Sequence, residues 1–176
     1  QHPDKEWITG GGWSMAAFGL GALASKDILD ELVPDRPAYF SSADGHTGWA
    51  NSLALKKAGI TRKTPDPEDG FIDRDPDTGE AIGSLQEGAM RLVTKHIPKP
   101  DLAERMAALE YARDMLHAFG ITSVQEAYAY DADLETYETL DKQGKLNLRV
   151  VSALLWDTDK NEEQIATFKE QRERYT

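Results

Sequence analysis

The sequence contains no cysteine, so disulfides and thiolate metal ligands are excluded. Histidine is scarce. There are four, His2, His46, His96 and His117, and no two stand in an HxH or HExxH arrangement. An ordinary His-rich zinc site therefore cannot be assembled from this chain alone. Positive charge is also in short supply: 20 Lys and Arg stand against 31 Asp and Glu, a formal net charge of −11. That balance argues against nucleic acid or an anionic membrane as a partner, since both need a basic face. No run of about 18 apolar residues exists to cross a bilayer. The glycine run Gly10–Gly12 lacks the spacing of a nucleotide loop, and there is no internal repeat or low-complexity tract.

What remains is an ordinary globular composition. The 176 residues are 40% hydrophobic and 9% aromatic, enough to bury a core and to exclude disorder. The chain begins QHPDKEW, with no initiator Met or signal peptide, and closes on a helical pattern, so both ends are expected to be cut from something longer. A soluble chain is expected, with the cytoplasm the favoured compartment.

Local signals divide the chain into three stretches: 1–59, a Pro/Asp/Gly-rich excursion at 60–90, and 91–176. In the first, Glu6–Thr9 is strand-like, Ser25–Val33 reads as a capped helix stopped by Pro34, and Pro37–Ser42 reads as a buried strand. The spacing of Trp49, Leu53 and the Ala50/Ala54 pair predicts a helix over Thr47–Ala58, ended by Gly59 in a left-handed conformation. In the second stretch, FIDRD and EAIGSL flank Pro76–Gly79 and predict a β-hairpin. In the third, Asp101 with Glu104 starts a helix ended by Gly120, Ile121–Val124 is a strand, and 133–142 is a helix ended by Gly144. Leu146–Trp156 is a strand and Asp159 opens a last helix. Helix–strand alternation with short loops implies parallel strands with helical crossovers, in a (β/α) barrel or an open doubly wound sheet.

On this reading His46 and Asp44 lie where a strand hands over to a helix, and Glu126 just after the Ile121–Val124 strand. Both are carboxyl ends of strands, where α/β folds bind ligands. For His46 two readings stand: a polar group aimed at a substrate, or a ring bonded to a backbone carbonyl. Asp44 is either a pocket carboxylate or a helix cap. Glu126 is either a base or metal ligand, or a solvated loop acid. Glu87 ranks with Asp44, with surface charge as its alternative. Trp49, like Trp13, is either a pocket wall or core. His96 and His117 read as surface residues.

Four phrases, EWITGGGW (Glu6–Trp13), Asp35–Thr61 around DGHTGWANSLAL, Thr64–Ala89 and GITSVQEA (Gly120–Ala127), together resemble the family-3 branch of the amidohydrolase superfamily, which includes N-substituted formamide deformylases and exoenzyme regulatory proteins. The resemblance implies an α/β fold, a partial (β/α) barrel of the metal-dependent hydrolase type with an inserted β-hairpin region. It implies hydrolysis of a C–N bond in a small-molecule amide by water activated on a divalent metal, zinc being expected. The family's metal ligands are an HxH pair, a carboxylated lysine, two histidines and an aspartate. They are not found here and are expected before Gln1 and beyond Thr176, so this chain is expected to bind no metal and to be inactive alone. The family pattern supports His46 as a pocket residue; Gln125-Glu126 departs from it. Exposed barrel edges imply possible homo-oligomers. Two rivals remain: a non-catalytic binding or lid module, which a native gene near 180 codons would favour, and a metal-independent barrel enzyme using Asp44 and Glu126.

Overall fold

The computed structural model describes residues 5–19 and 23–175. They fall into two compact units, Gln1–Pro98 and Lys99–Thr176.

In the first unit a five-stranded mixed sheet runs in the order β1-β2-β3-β5-β4. Strand β1 (Ile8–Trp13) lies parallel to β2 (Ala38–Ser42); β3 (Thr47–Ala50), β5 (Ala81–Glu87) and β4 (Gly70–Arg74) follow antiparallel. Helix α1 (Lys26–Leu32) starts at Ser25, whose Oγ accepts from Asp27 N, and stops before Pro34 as expected. The predicted hairpin is present as β4 and β5. It does not hang off the sheet, because β5 sits between β3 and β4.

The helix expected over Thr47–Ala58 is a strand followed by a shorter helix. Thr47–Ala50 is β3, and α2 (Ser52–Lys57) begins only after Asn51. Two neighbours decide this: β3 is paired with β2 on one side and β5 on the other, and ladder bonds from both sides outweigh a helical apolar spacing. Gly45, at φ +79°, makes the reversal from β2 into β3. SSADGHTGWA is therefore a β-hairpin, and His46 lies in its turn. Asn51 then does two jobs from a fully buried position. Its Oδ1 accepts from Ala54 N (2.9 Å), capping α2, and from Ala38 N (2.9 Å) on β2; its Nδ2 donates to Val33 O and Arg36 O. Gly59, at φ +69°, ends α2 as predicted.

The core of this unit lies on both sheet faces. Trp7, Tyr39, Ala50, Leu55, Ile72, Leu85 and Val93 form one cluster, and Ala24, Leu29, Ala38 and Trp49 the other. A short helix, α3 (Met90–Thr94), closes the unit.

The second unit is a parallel pair, β6 (Ser123–Ala129) and β7 (Arg149–Leu154), joined through α5 (Asp131–Lys142). This is the predicted crossover. Helix α4 (Leu102–Ala118) starts on the expected capping box, Asp101 with Glu104, and Gly120 ends it at φ +76°. Helix α6 (Gln164–Arg174) is last. Leu140, Leu146 and Leu148 are the buried centre, packed by Met106, Leu109, Tyr137 and Val150. Strand β6 runs further than predicted because its ladder with β7 continues to Ala129–Leu154. The fold is mixed α/β, and among the described residues no closed barrel forms.

Candidate functional site

The β2–β3 turn is built around a carboxylate. Asp44 Oδ1 accepts from Ser42 Oγ (2.5 Å) and from His46 N (3.1 Å). The Ser42 hydroxyl first, and the His46 N–H second, hold the Asp44 carboxyl below the usual carboxylate range. Ser42 Oγ in turn accepts from Thr47 N at 3.0 Å. Asp44 thus caps no helix; it locks the turn that carries His46.

His46 extends from this turn, and its Nδ1 lies 2.8 Å from Glu87 Oε1 at the end of β5. The backbones are joined as well, with Glu87 N donating to His46 O at 3.0 Å. One rung inward, Thr47 Oγ1 donates to Gln86 Oε1 (2.8 Å) and Gln86 Nε2 donates to Asp73 Oδ2 (2.6 Å). Burial pushes the Asp73 carboxyl up, opposed by the Gln86 bond and reinforced by the charge of Asp66. The result is a polar row, His46–Glu87 and Thr47–Gln86–Asp73, across one end of β3, β5 and β4.

Trp49 is buried. Its Nε1 donates to Ser25 O (2.8 Å), and its ring packs edge-on against Phe18 and Trp13 at centroid distances of 5.0 and 5.8 Å. It forms the aromatic core that GGGW contributes to through Trp13.

Glu126 belongs to the second unit. It lies within β6, paired with Ser152, rather than in a loop after the strand. Its Oε1 accepts from Tyr128 N (3.1 Å) and its Oε2 from the Tyr137 hydroxyl (3.3 Å). Burial, and secondarily the Glu126 charge, push the Tyr137 hydroxyl up to about 12. Past the carboxyl ends of β6 and β7 opens a cleft of about 580 Å³, lined by Tyr130, Asp131, Asp157, Gln164, Phe168 and Gln171 among others. Asp157 is held low by the Asp159 N–H, then by Lys160 at 3.3 Å.

Among the described residues, no three His, Asp or Glu side chains converge in a way that would hold a metal ion. His96 is exposed, His117 Nε2 lies 3.0 Å from Asn147 O, and His2 falls outside the described residues. The donor set among the described residues does not fit the metal that the resemblance implies. No helix among the described residues is long and apolar enough to cross a membrane.

Glu87, which the sequence places level with Asp44, lies beside His46. It is 41 residues from His46, and only the β3–β5 pairing brings them together. The hairpin read from the sequence stops at Leu85, two residues short of Glu87, and nothing local showed which strand it would join.

The comparisons with known proteins agree with this architecture. A family model described as "Amidohydrolase family" matches residues 1–176. Protein LONG AFTER FAR-RED 3 of Arabidopsis thaliana is 41% identical over 127 residues, 72% of this chain and 21% of that protein. N-substituted formamide deformylase of Arthrobacter pascens is 32% identical over 151 residues, 82% of this chain and 27% of that protein. A crystal structure of an uncharacterized metal-dependent hydrolase from Pyrococcus horikoshii OT3 superposes with a TM-score of 0.55 at 20% identity, covering 85% of this chain and 28% of its own. The chain thus spans between 18% and 38% of the length of the curated relatives it matches.

Proposed function

The chain belongs to the amidohydrolase family, and on that premise we propose that it is a segment of a longer hydrolase that cleaves an amide-type C–N bond in a small molecule. The family match over the whole chain carries this reading; the deformylase relative supports the bond type. On this reading the chain supplies part of a (β/α) barrel of the metal-dependent hydrolase type. A divalent metal, zinc by expectation, is held by residues other than those described here. In the first unit Asp44 fixes the turn, His46 contacts the substrate and Trp49 lies in the core behind it; in the second, taken by itself, Glu126 orders the end of β6. The net charge of −11 supports a partner that is neither nucleic acid nor a membrane surface. Among the described residues β1 and β4 are edges of one sheet and β6 and β7 of the other, which supports association between copies.

The test uses the protein at its native length, loaded with zinc and assayed on a panel of N-formyl and N-acyl amines, cyclic amides and ureas. Turnover of an amide that disappears on chelation is expected, with none from residues 1–176 alone. Failure to cleave any member of the panel sinks the hydrolase reading. Turnover by the isolated chain sinks the assignment of the metal to other residues.

A further inference from the structure

Three non-glycine residues among those described have positive φ: Glu87 (49°), Asn147 (45°) and Asn161 (48°). Asparagine tolerates this region; glutamate does not, and a residue held there is strained. The strain at Glu87 is imposed from both sides. Glu87 N is bound to His46 O, and the next residue, Gly88, donates to Asp69 O at 3.0 Å while Ala89 N donates to Gln86 O at 3.0 Å. A glycine or asparagine would satisfy the same backbone at less cost. The carboxylate there does not repay the strain in stability, because the His46 and Glu87 side chains are 65% and 57% exposed and an exposed ion pair contributes little.

What the carboxylate does accomplish is local and chemical. An ionised carboxylate only accepts, so Glu87 Oε1 at 2.8 Å requires the proton on Nδ1. In the neutral ring the lone pair then stands on Nε2. Asp44 fixes the other end of His46 through its backbone N–H. We propose that Glu87 is a positioning residue that holds His46 in the Nδ1–H form, so that Nε2 accepts a hydrogen bond from the substrate's amide N–H. The preferred substrates are therefore amides carrying a hydrogen on the scissile nitrogen, not N,N-disubstituted ones. This rests on the hydrolase reading for its substrate, but not for the state of the ring.

Two measurements separate the two. In the ¹⁵N-histidine-labelled 176-residue chain, long-range ¹H–¹⁵N spectra at a pH where the ring is neutral should show His46 with a protonated Nδ1 and a bare Nε2. E87Q and E87G should shift it toward the Nε2–H form, while His96 and His117 stay unchanged and E87D restores part of the bias. E87G also removes the strain, so a loss of the ring bias in that variant is not a loss of the fold. In the native-length protein, E87G and H46Q should raise KM for an N–H amide about five- to tenfold, the loss of one hydrogen bond, and leave its N-methylated analogue unaffected. An Nε2–H form in the unmodified chain, or a ring indifferent to E87G, overturns the positioning role. Equal losses on both substrates overturn the N–H contact. The expected ring signature without turnover of any amide leaves the positioning intact and overturns the hydrolase reading instead.

Discussion

Strands β3 and β7 are both short and apolar, yet every residue of β3 is buried while β7 exposes every second one. The difference lies in their neighbours. β3 has a partner on each side and a core cluster on each face, with Trp49 facing one and Ala50 the other. β7 pairs only with β6, and the buried leucines lie against one face; Val151 on the other is 50% exposed. Helix α4 beside it buries no residue completely and leaves Tyr111 and Phe119 about three-quarters exposed. A parallel pair of strands ordinarily has both faces covered. The first unit is thus held by a two-sided core crossed by the buried Asn51 bonds, the second by a one-sided core.

The largest test of that contrast is Asn51→Ala. It removes the α2 cap and leaves the buried Ala38 N–H without its side-chain acceptor, for an expected loss of about 4 kcal/mol. Hydrogen exchange across residues 38–60 would report it. A loss under about 1 kcal/mol would show that buried polar bonds do not hold the first unit together.

Leu140→Ala is the matching cut in the second unit. Leu140 is fully buried, but its neighbours Met106, Leu109 and Tyr137 are only partly so and can relax into the space. About 2–3 kcal/mol is expected, at the low end for such a truncation. Urea denaturation followed by exchange at residues 131–150 measures it. A value near 5 kcal/mol would mean a core as closed as that of the first unit.

The smallest effect is in acid. Arg174 first, and then Lys142, draw the Glu138 carboxyl from an ordinary 4.5 down to about 2, across the link from α5 to α6. Because the folded value is depressed, this contribution is complete above pH 4.5 and disappears as pH falls towards 2. Protection of α6 amides should fall over that window, and E138Q should abolish the dependence. At Asp73 in the first unit the sign reverses. Its folded value is raised, so acidification from neutral pH relieves a cost, and D73N should be as stable or more so at pH 7. Titration of Glu138 near 4.5 in a carboxyl-labelled sample would remove the acid contrast.

Much of this was legible beforehand because its causes are local. Ser25, Asp101 with Glu104, Gly59, Gly120 and Gly144 mark helix ends through bonds that close within a turn, and each marked end is found. The 70–87 hairpin is equally local. The site was less legible. Asp44 and His46 were picked out, but as a strand-to-helix junction. Trp49 was read with two possible roles, and only the packing of Trp13 and Phe18 shows it as core. Glu126 moved from loop to strand because a ladder is extended by its partner, which lies beyond the α5 crossover.

By itself, the sequence determined the family, the helix ends marked by Ser25, Asp101, Gly59, Gly120 and Gly144, the 70–87 hairpin and the lack of any thiolate. Each follows from residue identity or from contacts a few positions apart. Only the tertiary structure decided that Thr47–Ala50 is a central strand, that β5 joins it, and that Glu87 meets His46 across 41 residues. Those outcomes depend on which strands become neighbours, and that is fixed by which apolar faces can be buried together, not by any signal written along the chain.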